Sequence, residues 1–173
     1  MLKIPKRLSV NLSMAIAILL FVVCVAGSVL MPKFIETLLK AREHILADNI
    51  TIFMNDNVHR IIKTEPISAF GRGIVYVMAY LVMASIFAID IMLLKLLKRV
   101  KNGLVFTEIS VALIRYISWF CFVICAAFCV LGIYFQLAFI VAFVALLLGT
   151  CLRVVKNVIE EATEIKSEND LTV

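Results

Sequence analysis

The sequence DIMLLKLLKRVKNGLVFTEISVALIR, from Asp90 to Arg115, decides the fold of this chain. It joins the end of one apolar run to the start of the next, so it predicts a hairpin of two helices. The turn between the two runs is basic and holds Lys95, Lys98, Arg99 and Lys101. Because short basic connections stay on the cytoplasmic side of a membrane, this turn also predicts the orientation of the protein.

The boundaries of the two helices follow from the residues inside this stretch. Cations suit the last turn of a helix, and glycine is the usual residue just past its end, so Gly103 predicts the end of the first of the two helices. Thr107 is a typical N-cap residue, and Glu108 suits the positive end of the helix that follows. The next helix is therefore predicted to begin at about Glu108.

The composition is that of a membrane protein. Of the 173 residues, 64% are hydrophobic and 17% are charged, and the mean hydropathy is +1.08. A soluble domain is about half apolar, whereas apolar runs of about 20 residues match the hydrocarbon thickness of a bilayer. We predict an all-α fold, an integral membrane four-helix bundle in a single domain. Its transmembrane helices are predicted at 8–30, 74–97, 109–131 and 135–152.

Two polar segments lie outside these runs. The longer one, 31–72, is predicted to be an extracytoplasmic loop that begins where Pro32 ends the first helix. Apolar residues at helical spacing predict an amphipathic helix within this loop. The shorter segment, 153–173, is predicted to be a cytoplasmic tail that continues the fourth helix for a few turns and frays from Ser167 onward.

The positions of Lys and Arg predict which side each end of the chain faces. Three cations precede the first run, four lie in the turn after the second, two follow the fourth, and the connector between the third and fourth has none. The 31–72 loop has six, spread among five acids. Both termini are therefore predicted to be cytoplasmic. No aromatic-basic face accompanies the net charge of +5, so direct nucleic-acid binding is not predicted.

Each of the two runs beside the basic turn carries one charge within its apolar part. Asp90 lies five residues before Lys95, and Arg115 lies seven after Glu108, so each is roughly 10 Å inside its helix. Equal depth on antiparallel helices makes an Asp90–Arg115 ion pair reasonable. Ionisable residues in a membrane are costly and are functional candidates. Two interpretations stay open: a clamp between helices, which is favoured, and part of a proton or ion pathway.

Small residues recur at helical spacing on the third and fourth runs. The third carries Cys121, Cys125 and Cys129, and the fourth carries Ala138, Ala142, Ala145 and Gly149. Small faces let membrane helices approach closely, and the short connector predicts an antiparallel hairpin of these two helices. No His or carboxylate accompanies the cysteines, so packing is favoured over a soft-metal site. Neither a metal nor another cofactor is predicted.

Two motifs carry a family resemblance. One is Gly103-Leu-Val-Phe-Thr107 before the third helix, and the other is the ending Glu168-Asn169-Asp170-Leu171-Thr172-Val173. They resemble a bacterial family of small membrane proteins catalogued as domain-of-unknown-function family 2975. The resemblance implies a four-helix protein of the bacterial inner (plasma) membrane, often encoded beside a small helix-turn-helix DNA-binding regulator. It implies a partner for such a regulator, and it carries over no catalytic residue.

Two classes of function fit these features. The first is an interaction protein whose basic turn and acidic tail tether or control a small helix-turn-helix transcriptional regulator at the cytoplasmic face. The alternative is a component of a transport or export system, with Asp90 and Arg115 in a polar pathway. An enzyme is not predicted, because the sequence offers no Ser/His pair, no paired carboxylates within a span and no His-rich metal set. The sequence favours no particular oligomeric state.

Overall fold

A computed structural model gives a fold of four helices joined in sequence. It describes the backbone of residues 6–53 and 67–171 and the side chains of residues 10–43 and 67–168. The helices are α1 (Lys6–Phe53), α2 (Ala69–Lys101), α3 (Glu108–Gly132) and α4 (Ala138–Leu171), and these described residues contain no strand. The prediction of an all-α chain with four long apolar helices is confirmed.

All four helices are long and apolar enough to cross a membrane. Many of their large apolar side chains lie on the outside of the bundle, among them Val22 and Val29 of α1 and Phe143 of α4. In water such a surface would be unfavourable, whereas the hydrocarbon of a bilayer is a suitable solvent for it. The chain is a multi-pass membrane protein.

The first helix continues through Pro32 instead of ending there. α1 includes residues 31–53, slightly more than the first half of the segment that the sequence predicts as a loop. A proline removes one backbone hydrogen bond, here the bond to the carbonyl of Ser28, and membrane helices tolerate such a loss. Helical spacing beyond the proline is confirmed, because Ile35 and Leu39 are both buried. The predicted amphipathic helix is therefore the second half of α1 and not a separate element.

The second and fourth helices begin at different residues from those predicted. α2 starts at Ala69 instead of 74, because Ser68 caps it: the Ser68 hydroxyl accepts a hydrogen bond from the backbone N–H of Gly71 at 3.1 Å. α4 starts at Ala138 instead of 135, since residues 133–137 form the turn after α3. At its other end α4 is helical through Leu171, so the predicted fraying does not begin at Ser167.

Each helix packs against its neighbour in the chain, α1 on α2, α2 on α3 and α3 on α4. All four meet in one apolar cluster at the end of the bundle that carries the α3–α4 turn. The cluster consists of Ile35, Leu39, Val75, Ala79, Leu131 and Ala138. An apolar cavity of about 390 Å³ lies beside it. Apolar packing holds this end of the bundle, together with one exposed ion pair between Arg72 of α2 and Glu43 of α1 at 3.4 Å.

The small residues of the third and fourth helices differ in where they lie. Ala138, Ala142, Ala145 and Gly149 of α4 are buried, and the hydroxyl of Ser118 in α3 donates to the carbonyl of Gly149 at 2.9 Å. In α3, Cys121 is buried, Cys125 is half-buried and Cys129 is exposed. A step of four residues overshoots a full turn by roughly 40°, so two such steps carry Cys129 out of the interface. Contrary to the prediction, the packing face of α3 therefore does not include Cys129.

Candidate functional site

Charged side chains from three helices gather at the end of the bundle that carries the α2–α3 turn, which we call the basic end. The last turns of α2 supply the four cations of the basic turn, and the last helical turn itself holds Lys98, Arg99 and Lys101. Arg115 of α3 and the part of α4 around Glu160 lie at the same end. Clusters of ionisable groups are where functional sites are most often found, so this end is the candidate site.

The α2–α3 turn is fixed by a hydrogen-bond network around Arg99. Gly103 has a φ of 77°, which glycine adopts without steric cost. Arg99 donates through Nε to Oγ of Ser110 at 3.3 Å and through Nη2 to Oγ1 of Thr107 at 3.1 Å. Ser110 donates to the carbonyl of Leu104 at 3.0 Å. Arg99 is thus part of the turn's framework, whereas the other three cations of the basic turn are exposed.

Thr107 lies at the N-cap position of α3, which confirms the predicted start of that helix at Glu108. Its carbonyl accepts from the backbone N–H groups of Ser110 and Val111 at 2.9 and 3.2 Å. Its hydroxyl makes no capping bond, because it belongs to the network around Arg99. The motif from Gly103 to Thr107 is therefore a structural turn.

Asp90 is buried in α2, and one oxygen of its carboxyl group lacks a partner. The residue is 5% exposed, and Oδ2 has no hydrogen-bond partner in the part of the chain that the structure describes. Cys24 of α1 is within electrostatic range of the carboxylate. A buried polar atom without a partner is costly. Asp90 is therefore a side chain whose burial the packing of α2 does not explain.

Arg115 forms its ion pair with α4 and not with Asp90. Its Nη2 lies 3.2 Å from Oε1 of Glu160, and Lys156 contacts the other carboxylate oxygen of the same residue. The predicted Asp90–Arg115 pair is corrected, because equal depth does not fix the direction in which a side chain leaves its helix. Glu160 lies eight residues beyond the predicted end of the fourth span at 152. The hydrogen bond from Lys156, with the charges of Lys156 and Arg115, holds the pKa of Glu160 below its usual value.

A polar groove of about 550 Å³ runs between α3 and α4 beside this ion pair. It has both charges and hydroxyl groups in its lining. The lining residues from the two helices include Glu108, Arg115, Glu160, Thr163, Glu164 and Ser167. Such a groove can accept a polar segment of a partner, and its acidic residues favour a basic one.

The last part of α4, residues 153–171, presents acidic and apolar side chains together, and we call it the α4 extension. Its nineteen residues span roughly 28 Å. Val158 and Ile165 are 60% and 54% exposed, and Glu161 and Glu164 are exposed as well. Apolar side chains in such a position are typical of a surface that another molecule covers.

The C-terminal motif lies at the tip of this extension. Glu168 is exposed, and the backbone is helical through Leu171. The side chains of Asn169, Asp170 and Leu171 lie outside the described residues, as do Thr172 and Val173 altogether.

Among the residues of the candidate site that were not predicted from the sequence, two make its central contacts. Ser110 is one, and no local pattern distinguishes it from other serines near a helix start. Glu160 is the other, and its position four residues after Lys156 is a recognisable helical ion-pair spacing. Its contact with Arg115 depends on the register of α3 against α4, which the sequence does not contain.

A family model described as "Protein of unknown function (DUF2975)" matches residues 7–173 of the chain. No curated protein and no solved structure matches it. The match covers nearly the whole length, including all four helices, the Gly103–Thr107 motif and the C-terminal motif. It assigns no activity, so the function has to be inferred from the geometry of the site.

Proposed function

Because the chain belongs to the DUF2975 family of proteins of unknown function, we propose that it is a membrane anchor for a soluble protein, which it holds or controls through the α4 extension. The partner is a small helix-turn-helix DNA-binding regulator at the cytoplasmic face. The proposal includes no catalytic step. The observation that carries it is the exposed surface of the extension, which lies beyond the apolar part of α4.

Charge favours a basic partner for this surface. From Glu160 to Asp170 the chain has five carboxylates and the single cation Lys166. A DNA-binding protein has a basic face, and opposite charges accelerate and orient such an association. The polar groove beside the extension adds Glu108 of α3 to the acidic surface. A regulator bound through its basic face would be unable to bind DNA at the same time.

Apolar contacts add affinity to this electrostatic attraction. Val158 and Ile165 are seven residues apart, so they lie on nearly the same side of the helix, and both are exposed. Amphipathic helices bind partners through apolar side chains at such spacing. The distribution of Lys and Arg supports placing this end in the cytoplasm, where a regulator would be available.

The test is co-expression of the full chain with a helix-turn-helix regulator encoded next to its gene, which the family resemblance leads us to expect. The regulator should be recovered in the membrane fraction with the parent chain. The double variant Val158→Lys, Ile165→Lys should lower this recovery by about tenfold, as loss of apolar anchors does. The double variant Leu104→Lys, Phe106→Lys is the matched control, because it replaces two exposed apolar residues of the basic end by the same two cations outside the extension and its groove, and recovery should stay at the parent level. Equal recovery with the parent and the double variant would refute the proposal.

A second candidate function is favoured by one observation, the buried carboxyl of Asp90. A component of a transport or export system would use such a group to bind a proton or a cation within the bilayer. Arg115 is paired with Glu160 at 3.2 Å, so a pathway through Asp90 would have to do without the nearby cation that the sequence suggests. Flux of protons or Na⁺ into liposomes containing the parent, lost in Asp90→Asn, would support transport. Flux no greater than in protein-free liposomes would exclude it.

A further inference from the structure

A second cleft lies at the basic end, between α3 and α4, and it shares only Arg115 with the lining of the polar groove. Its volume is about 210 Å³. The lining consists of three cations, one aromatic ring and two neutral polar groups: Arg115, Arg153, Lys156, Trp119, Ser118 and Asn157. No carboxylate is among the lining residues. We propose that this cleft binds the phosphate group of an anionic phospholipid, independently of any protein partner of the α4 extension.

Arg153 is the residue on which the proposal depends most. Its guanidinium lies over the ring of Trp119 at 4.9 Å from the centroid, and 5.8 Å from that of Phe122. Trp119 and Phe122 are themselves in edge contact at 6.1 Å. Stacking on two rings holds the guanidinium in place and leaves its N–H groups to other acceptors. No ion pair of Arg153 is found among the described side chains.

The charge at the cleft is not balanced by the protein. Arg115 and Lys156 both contact the same carboxylate, that of Glu160. With Arg153, three positive charges therefore face one negative charge, which leaves a local excess of two. Partial desolvation at the edge of a membrane makes such an excess unfavourable unless an anion compensates it. A phosphate group is suited to this, because guanidinium binds it through paired N–H groups and ammonium as a point charge.

The depth of the cleft favours a lipid as the source of the phosphate. Arg153 lies fifteen residues after Ala138, the first residue of α4, which is roughly 22 Å along the helix. The hydrocarbon core is about 30 Å thick, so with the turn before α4 outside it, Lys156 comes close to the opposite boundary at about 27 Å. Arg153 lies about one helical turn deeper, where a long arginine side chain can still extend its guanidinium to the headgroups. Tryptophan is enriched near this boundary, and Trp119 is 55% exposed beside Arg153. Basic clefts between transmembrane helices at this level bind lipid headgroups.

The single tryptophan of the chain gives a direct assay, because Trp119 lines the cleft. The full-length protein is placed in phosphatidylcholine vesicles, and part of the lipid is replaced by either phosphatidylglycerol or phosphatidylcholine with brominated chains. Bromine quenches tryptophan on contact, so the two quenching curves give the relative association of each lipid with the cleft. We expect phosphatidylglycerol to be favoured by about fivefold or more over phosphatidylcholine, as expected for a cation near an anionic lipid.

Arg153→Gln should abolish this preference, so that both brominated lipids quench equally. Lys166→Gln is the matched control: it removes one charge from the same helix at an exposed position outside the cleft, and the preference should be unchanged. Comparing the two lipids within each variant cancels any change in the intrinsic fluorescence of Trp119. Arg153→Lys, which keeps the charge and the fold, should retain a reduced preference because an ammonium cannot bind phosphate through two N–H groups.

Three results would overturn the proposal. Equal quenching by both lipids in the parent would show that the cleft does not select anionic headgroups. An equal loss of preference in Lys166→Gln and Arg153→Gln would show a general surface charge and not a site. A saturating fluorescence change when inorganic phosphate is added to phosphatidylcholine vesicles would assign the cleft to a soluble phosphate and not to a lipid.

Discussion

Replacing Ser110 by alanine should lower the free energy of unfolding by about 2 kcal/mol. The Ser110 hydroxyl accepts from the guanidinium of Arg99 at 3.3 Å and donates to the carbonyl of Leu104 at 3.0 Å. A bond to a neutral group contributes about 1 kcal/mol and one to a charged group about 1.5 kcal/mol or more, while hydrogen bonds in membrane proteins average about 0.6 kcal/mol. Ser110 is 1% exposed, so water cannot replace either partner. The Ser110 hydroxyl also lies 3.0 Å from Oγ1 of Thr107, so three contacts near the lower of these limits give the expected value.

The measurement is equilibrium unfolding by denaturant in detergent micelles, followed by the loss of helical circular dichroism. Ser167→Ala is the matched control, because its exposed hydroxyl donates only to the carbonyl of Glu164 in the same helix, at 2.8 Å. The control should lie within about 0.5 kcal/mol of the parent. If Ser110→Ala also lies within this limit, the network around Arg99 does not stabilise the α2–α3 turn, and the structural explanation of the Gly103–Thr107 motif fails.

Three further predictions use the same preparation. Gly132→Ala should lower the free energy of unfolding by about 1–3 kcal/mol, because its new Cβ would lie 2.7 Å from ring atoms of Phe139. The control is Gly73→Ala, whose Cβ would meet nothing within 4 Å and which should be neutral or slightly stabilising. Equal free energies of unfolding for the two variants would contradict the prediction. Asp90→Asn should not lower the thermal midpoint, because Oδ2 has no hydrogen-bond partner among the described residues and an amide is easier to bury than a carboxylate. A decrease of about 4 °C or more would reveal an unrecognised partner. Because the pKa of Glu160 is lowered in the folded state, the stabilisation that this carboxylate provides should be complete above the usual glutamate pKa and disappear as the pH falls through the lowered value. The thermal midpoints of the parent and Glu160→Gln should therefore converge in acid. A constant difference down to the lowest pH would exclude a stabilising ion pair at Glu160.

The class of fold could be predicted from the sequence because it depends on the length of the apolar runs. The hydrocarbon thickness of a bilayer sets a minimum length for an apolar helix that crosses it, and four helices of this chain reach that length. The turn between α2 and α3 was also predictable, since Gly103 and Thr107 act locally on the backbone. The course of α1 through Pro32 was not, because proline within a membrane helix is decided by the surrounding contacts. Ile35 and Leu39 supply those contacts by packing into the apolar cluster.

The candidate site was less predictable than the fold because it depends on rotation and register. The sequence gives the depth of Asp90 and Arg115 along their helices but not the directions in which their side chains point. Arg115 points toward α4, where the partner is Glu160, forty-five residues later in the chain. The partner is reached because α4 remains helical beyond its apolar part. Pairing between distant residues of this kind requires the three-dimensional arrangement of the helices.

The absence of any glycine or proline in α4 after Gly149 has a mechanical consequence. Without a hinge, the buried and projecting portions of this helix must tilt as one rigid lever. A reorientation of about 10° within the bilayer would displace the far tip sideways by roughly 5 Å, given an arm of about 28 Å. Bilayer thickness alters the tilt of membrane helices, so the position of the acidic tip is coupled to the physical state of the surrounding lipid.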